Sequence, residues 1–118
     1  MAERSEHEER YFELLEKDNT SPTDFERQSL FYILANADIF SKVDYIYDFK
    51  DHWIKIDCFE KTDLSSTSKK MVELAFNLYN GNPAPDPFTI FAGLDDDNFQ
   101  ICLNAISIRF NRFYTLEK

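Results

Sequence analysis

The segment Phe25-Glu26-Arg27-Gln28-Ser29-Leu30-Phe31-Tyr32-Ile33-Leu34-Ala35 constrains the fold more than any other stretch of this chain. Its apolar residues fall on nearly every side of a helix, and a helix that is apolar all round must be surrounded by other elements. The residues before it carry a helix start. Ser21 can cap, Pro22 suits the first helical position, and Asp24 completes a capping box. A central helix of this kind needs neighbours, and the rest of the chain is read for them.

Upstream, Ser5 to about Asp18 reads as a first helix. Tyr11, Leu14 and Leu15 form its apolar stripe, His7 lies one turn earlier on the same side, and Glu6–Arg10 and Glu13–Lys17 are favourable pairs. Downstream, Asp38 is expected to cap a third helix through Ile39, Phe40, Val43, Ile46 and Tyr47. Ser65 or Ser66 should cap a helix with Met71, Val72, Leu74, Ala75, Leu78 and Tyr79 inside, ended by Asn80-Gly81 in the left-handed region. Asp86-Pro87 starts a short helix closed by Gly93. The run Asp95-Asp96-Asp97 starts the last one, with Phe99, Cys102, Leu103, Ile106 and Phe110 as its expected buried stripe.

One stretch resists. Trp53 to Phe59 alternates apolar and polar residues as a strand does, and a strand needs a partner. The only comparable alternation, Ile106 to Phe110, continues a helical pattern and is read as helix. The fold class is therefore all-α: one domain over residues 1–118 with five or six helices, or α+β if 53–59 enters a small hairpin.

Composition narrows the function. The chain has 118 residues with only 2 Gly and 4 Pro, and 22 acids against 13 bases give a net charge of -9. Direct binding to a phosphate backbone requires a basic face, so no direct nucleic-acid contact is expected. The N-terminus is charged from Glu3 onward, without the apolar stretch of a signal peptide. No apolar run approaches the roughly 20 residues of a membrane span. With Cys58 and Cys102 read as two reduced core thiols, a cytoplasmic chain is expected.

Enzyme signatures are missing from the sequence. There is no Gly-rich phosphate loop, no G-x-S-x-G elbow and no C-x-x-C, and the residue four after His7 is Tyr11 rather than a second zinc ligand. The expectation is a non-enzymatic chain with no cofactor and no metal. A rival reading, a small metal-binding protein or metal-dependent enzyme, places Asp44, Asp48 and His52 along one helix, where they could hold a divalent cation.

Charge is unevenly spread. Residues 1–60 hold 15 acids and 7 bases, a net of -8, whereas residues 61–118 hold 7 and 6, a net of -1. If the first and third helices share a surface, Glu9, Glu13, Glu16, Asp44, Asp48 and Asp51 form one acidic face. Such a face attracts a basic groove at long range. A second contact candidate is Arg112-Phe113-Tyr114, an Arg beside two aromatics. The expected partner is a protein, in the sharpest version a nucleic-acid-binding host protein whose groove the acids occupy. A third possibility is a structural or regulatory homo-oligomer built on the aromatic surplus.

The segments HEERYFELLEK, ERQSLFYILA, KKMVELAFNLYNG and DPFTIFAGLDDDNFQICLNAISIRF resemble, in order and over nearly the whole chain, a small family of uncharacterised proteins of Firmicutes, their phages and mobile elements. The resemblance implies a helical, intracellular protein from a setting rich in anti-defence factors, such as anti-CRISPR-like inhibitors. It transfers no functional residue, and the segment from Phe49 to Lys61 fits it least.

Overall fold

The segment that had to be surrounded is surrounded. The computed structural model describes residues 4–112, and in it helix α2 (Phe25–Leu34) packs against α1 (Glu6–Asp18), α5 (Ser66–Asn80) and α7 (Asp96–Arg109). Leu30, Phe31, Ile33, Leu34 and Ala35 are wholly buried, together with Leu14, Met71, Val72 and Cys102 from the surrounding helices. Three short helices complete the set: α3 (Ala37–Phe40), α4 (Cys58–Lys61) and α6 (Pro87–Phe91). Among the described residues the helix count is thus seven rather than five or six. No helix is long and apolar enough to cross a membrane among the described residues.

Most helix ends follow their local chemistry. Ser5 and Glu8 form a reciprocal capping box at the start of α1. The Ser65 hydroxyl accepts the Ser68 N–H at the start of α5, and Gly81 ends that helix at φ 84. Asp86 and Asp95 accept the N–H groups of Thr89 and Asn98, which opens α6 and α7. Helix α2 starts later than expected, because Ser21 to Asp24 close a turn of their own, with the Asp24 N–H on the Ser21 carbonyl at 3.0 Å. The cap is Asp24, whose carboxylate accepts the Arg27 N–H at 3.0 Å.

The third helix is the main departure. Asn36, not Asp38, is its cap, and it stops at Phe40 after one turn. The Ser41 hydroxyl then donates to the Asp38 carbonyl at 2.7 Å, an alternative to helix propagation. A 3-10 turn follows at Val43–Tyr45, and then strand β1 (Tyr47–Asp48). That strand is the partner Trp53 was lacking. Strand β2 (Trp53–Ile54) pairs with it antiparallel, Tyr47 opposite Ile54 and Asp48 opposite Trp53. The hairpin uses only the first two residues of 53–59, since Cys58 already begins α4. The fold is mostly helical with one small hairpin, so the α+β alternative describes this corner. Ile106 to Phe110 belongs to the end of α7 rather than to a sheet.

Helix α7 lies on the core by a side rotated from the one its periodicity advertised, so that of the expected stripe only Cys102 and Ile106 meet the core. Cys102, Ala105 and Ile108 are buried, whereas Phe99, Leu103 and Phe110 are 39%, 40% and 56% exposed. The side with small residues allows α7 to approach α2 closely, and the larger side chains are left outside.

Candidate functional site

The geometry contains a polar centre that sequence reading missed. Asp18 ends α1 with its side chain almost fully buried, and donors converge on it from the loop after α1 and from the hairpin. Tyr47 of β1 donates its phenolic hydroxyl to Oδ1 at 2.9 Å, Thr20 donates to Oδ2 at 2.9 Å, and His52 Nδ1 lies 2.6 Å from Oδ1. A carboxylate aimed at by two hydroxyls leaves the ring as a third donor, so Nδ1 carries the proton. His52 holds this position with φ 58, a left-handed conformation uncommon for a residue with a Cβ.

Arg27 completes the centre from α2. Its Nε donates to the Tyr47 hydroxyl at 3.0 Å, Nη1 to Asp24 at 3.0 Å, and Nη2 to the His52 carbonyl at 2.6 Å. Burial alone would lower the Arg27 pKa, but its bonds to Tyr47 and Asp24 override that and hold it above its ordinary value. Burial raises the Tyr47 hydroxyl above its ordinary range, and the bond to Asp18 adds to this. No buried side-chain polar atom among the described residues lacks a partner.

Chemically, a buried carboxylate that fixes a half-exposed imidazole resembles the orienting pair of a general base. A cleft of about 390 Å³ opens beside it, lined in part by Thr20, Ser21, Arg27 and His52. Yet the bonds of Tyr47 and His52 to Asp18 and Arg27 also tie the hairpin to α1 and α2. Arg27 grips the turn by its carbonyl while Asp18 grips it by the His52 ring. The centre is a latch across three elements.

The acids expected to form one face are placed in two groups. Glu9, Glu13 and Glu16 are exposed on α1. At 100° per residue they span an arc of about 60°, turned away from the buried Leu14 and Asp18. Helix α1 does adjoin the segment after α3, through Lys17. Its ammonium is 3.7 Å from the Asp44 carboxylate and 4.4 Å from the centre of the Phe49 ring. A cation therefore stands where the two acidic groups would join. Asp48 is occupied within the turn, where its Oδ1 accepts the N–H groups of Lys50 and Asp51 at 2.9 and 3.0 Å. These bonds hold its pKa below the ordinary value. Asp51 is exposed at the turn.

Asp44, Asp48 and His52 do not share a helix: Asp44 lies in the 3-10 turn, Asp48 in β1, and His52 faces Asp18. No group of three or more potential metal ligands comes together among the described residues. Arg112 is exposed beyond α7, its N–H on the Ser107 carbonyl at 2.8 Å. Phe113 and Tyr114 lie outside the described residues. His7, the other histidine, is packed edge-on against Tyr32 and donates Nε2–H to the Tyr32 carbonyl at 2.7 Å. Desolvation lowers its pKa below the ordinary histidine value. Cys58 and Cys102 are buried and unpaired; burial pushes their thiols up to about 11 and about 12.

A helical domain built round one apolar helix, with a hairpin latched to it by a buried Asp–Tyr–Arg–His centre, is the class of protein that these observations define. The chain belongs to a family of unknown function (DUF6075), whose match runs over residues 1–118. No curated protein and no solved structure matches it.

Proposed function

We propose that this chain is a non-enzymatic protein-binding module whose acidic α1 surface engages a basic groove of a partner protein. The partner of best fit is a nucleic-acid-binding protein, and the most specific version is a phage-type inhibitor that occupies the groove of a host defence protein. One observation supports the reading above the others: where the cations go. Arg10, Arg27, Lys42, Lys55 and Arg109 each donate to a main-chain carbonyl, of Ala35, His52, Asp63, Asp44 and Leu78 respectively. Lys17 pairs with Asp44. None of the ion pairs among the described residues involves Glu9, Glu13 or Glu16.

These five basic side chains fasten the fold and keep their charge. Glu9, Glu13 and Glu16 have no cation within ion-pair distance among the described residues, so this side of α1 presents carboxylates to solvent. Fields of this kind act over about a Debye length, roughly 8–10 Å at moderate salt, and they raise association rates with a basic surface. They leave no place for a phosphate backbone.

The test is capture of a partner from host lysate by wild type and by a Glu9→Gln, Glu13→Gln, Glu16→Gln variant, across salt concentrations and with competing duplex DNA. Expected is capture by wild type that weakens with salt, is displaced by DNA, and falls at least about tenfold in the variant. Equal capture by the neutralised variant, indifferent to salt and DNA, would remove the reading.

A further inference from the structure

A cleft of about 470 Å³ lies where the starts of α1 and α7 approach the end of α2. Its volume falls within the range of small-molecule sites. Its lining is mostly polar, and much of that lining is held in place. His7 donates Nε2–H to the Tyr32 carbonyl at 2.7 Å and packs edge-on against the Tyr32 ring. Arg10, one turn further along α1, donates its Nε–H to the Ala35 carbonyl at 2.6 Å. From α7, Asn104 donates to the Tyr32 hydroxyl at 3.1 Å, and Asn36, after α2, donates to Asn98 at 2.7 Å. These side chains are fixed before any ligand arrives, as a binding site requires.

The atoms left over define what the cleft can hold. The Ala35 carbonyl engages only Nε of Arg10. Its Nη1 and Nη2 make no hydrogen bond and no ion pair among the described residues. Because Nε2 of His7 is the donor, Nδ1 is an acceptor, and it too has no partner there. No buried side-chain polar atom among the described residues lacks a partner, so these half-buried residues present the remaining nitrogens to solvent, and both line the cleft.

The α7 wall carries the opposite charge. Asp97 is exposed there and joins none of the ion pairs among the described residues. Asp95 stands beside it, with Oδ1 on the Asn98 N–H. Arg10 and Asp97 thus line one cleft beyond ion-pair distance, and neither neutralises the other. A guanidinium fork recognises a carboxylate through two parallel bonds, and a carboxylate recognises an ammonium group. A simple anion in this cleft meets the field of Asp97, and a simple cation meets that of Arg10. A ligand that carries both charges satisfies both walls.

We infer that this cleft binds a free α-amino acid, its carboxylate on the Arg10 fork and its ammonium group toward His7 Nδ1 and Asp97. The ligand's side chain then lies among Asn98, Gln100 and Ile101, a lining that suits a neutral group, whereas an acidic one meets Asp95 and Asp97. Glu9, Glu13 and Glu16 are not part of this lining, so the inference stands apart from the proposed binding to a basic partner.

Calorimetric titration of the full chain with the common amino acids, each to about 10 mM, tests it. At least one neutral amino acid should bind with a dissociation constant below about 1 mM, and aspartate and glutamate should bind least. The methyl ester of the best ligand lacks the carboxylate and its N-acetyl derivative lacks the ammonium group; each should bind at least about tenfold more weakly. Arg10→Gln and Asp97→Asn should each weaken binding by at least about tenfold. Asp97 is solvent-facing, so its variant keeps the question open to measurement even if Arg10→Gln unfolds. The neutralised α1 variant should bind the amino acid as wild type does. No binding of any amino acid at about 10 mM would overturn the site. Equal binding of the ester or the N-acetyl derivative, or undiminished binding by Asp97→Asn, would overturn recognition of the paired charges.

Discussion

The latch around the hairpin and the outer side of α7 invert the usual partition of residues in opposite ways. At the latch a carboxylate is buried to 2% side-chain exposure and a guanidinium to 24%. Along α7, phenylalanines stand in water. The contrast shows what governs burial here, namely whether the chain supplies a matching partner. Asp18 is buried because Tyr47, Thr20 and His52 supply donors to it. Phe110 is exposed because the core has already taken the Cys102–Ala105–Ile108 side of its helix. One region is closed within the chain, and the other leaves large apolar side chains facing solvent.

The largest effect should come from breaking the closed region. Asp18→Ala strips the acceptor from the buried Tyr47 hydroxyl and from the partly exposed Thr20 and His52 donors, and such a loss costs about 2–3 kcal/mol of folding stability. Urea denaturation of a monomeric sample reads it; a loss below about 1 kcal/mol would show that the latch does not hold the fold. Tyr47→Phe keeps the buried ring and its packing against Phe31 while removing one hydroxyl from the centre. It should cost about 1–2 kcal/mol by the same measurement.

His7 is the intermediate case, a partly buried titratable group whose ring N–H is satisfied by the Tyr32 carbonyl. Its folded pKa is depressed, so the unfolded chain takes up the proton more readily. Stability is therefore fully present above the unfolded value of about 6.5 and falls as pH drops through the folded value. His7→Gln should flatten the melting temperature between neutral and mildly acidic pH; an unchanged slope would assign the pH response elsewhere. The smallest effect belongs to the open region. Phe110→Ser should change monomer stability by no more than about 0.5 kcal/mol, despite the loss of a whole ring. A loss of several kcal/mol would mean that the ring serves the core after all.

The parts legible in the sequence were those fixed by neighbours in the chain. The caps at Ser65, Asp86 and Asp95 and the left-handed Gly81 are decided within four residues, and each stands where its chemistry put it. The latch was not legible, because its bonds to the hairpin join residues 20 to 34 positions apart and its members look ordinary in isolation. Asp18 passes for a helix end, Arg27 for a surface cation, and Tyr47 for one more aromatic in a helical run. The hairpin was foreseen only as an alternative through Trp53 to Phe59, and its partner strand was missed, because Tyr47–Asp48 is two residues long and lay inside a pattern that continued a helix. Along α7 the apolar period was visible but its orientation was not, since large residues line one side and small ones another. Close packing on α2 selected the small side. The row of acids on α1 followed from spacing alone, whereas the cation at its edge did not.

The two thiols give the molecule a pair of internal clocks. Cys58 begins the helix that follows the hairpin, and Cys102 sits where α7 meets the core, both fully shielded. A thiol reagent in excess can reach each sulfur only when its surroundings open, so labelling rates count opening events one region at a time. Loosening the latch should quicken the Cys58 clock far more than that of Cys102. Where both clocks run together, the hairpin and the helical body breathe as a single cooperative unit.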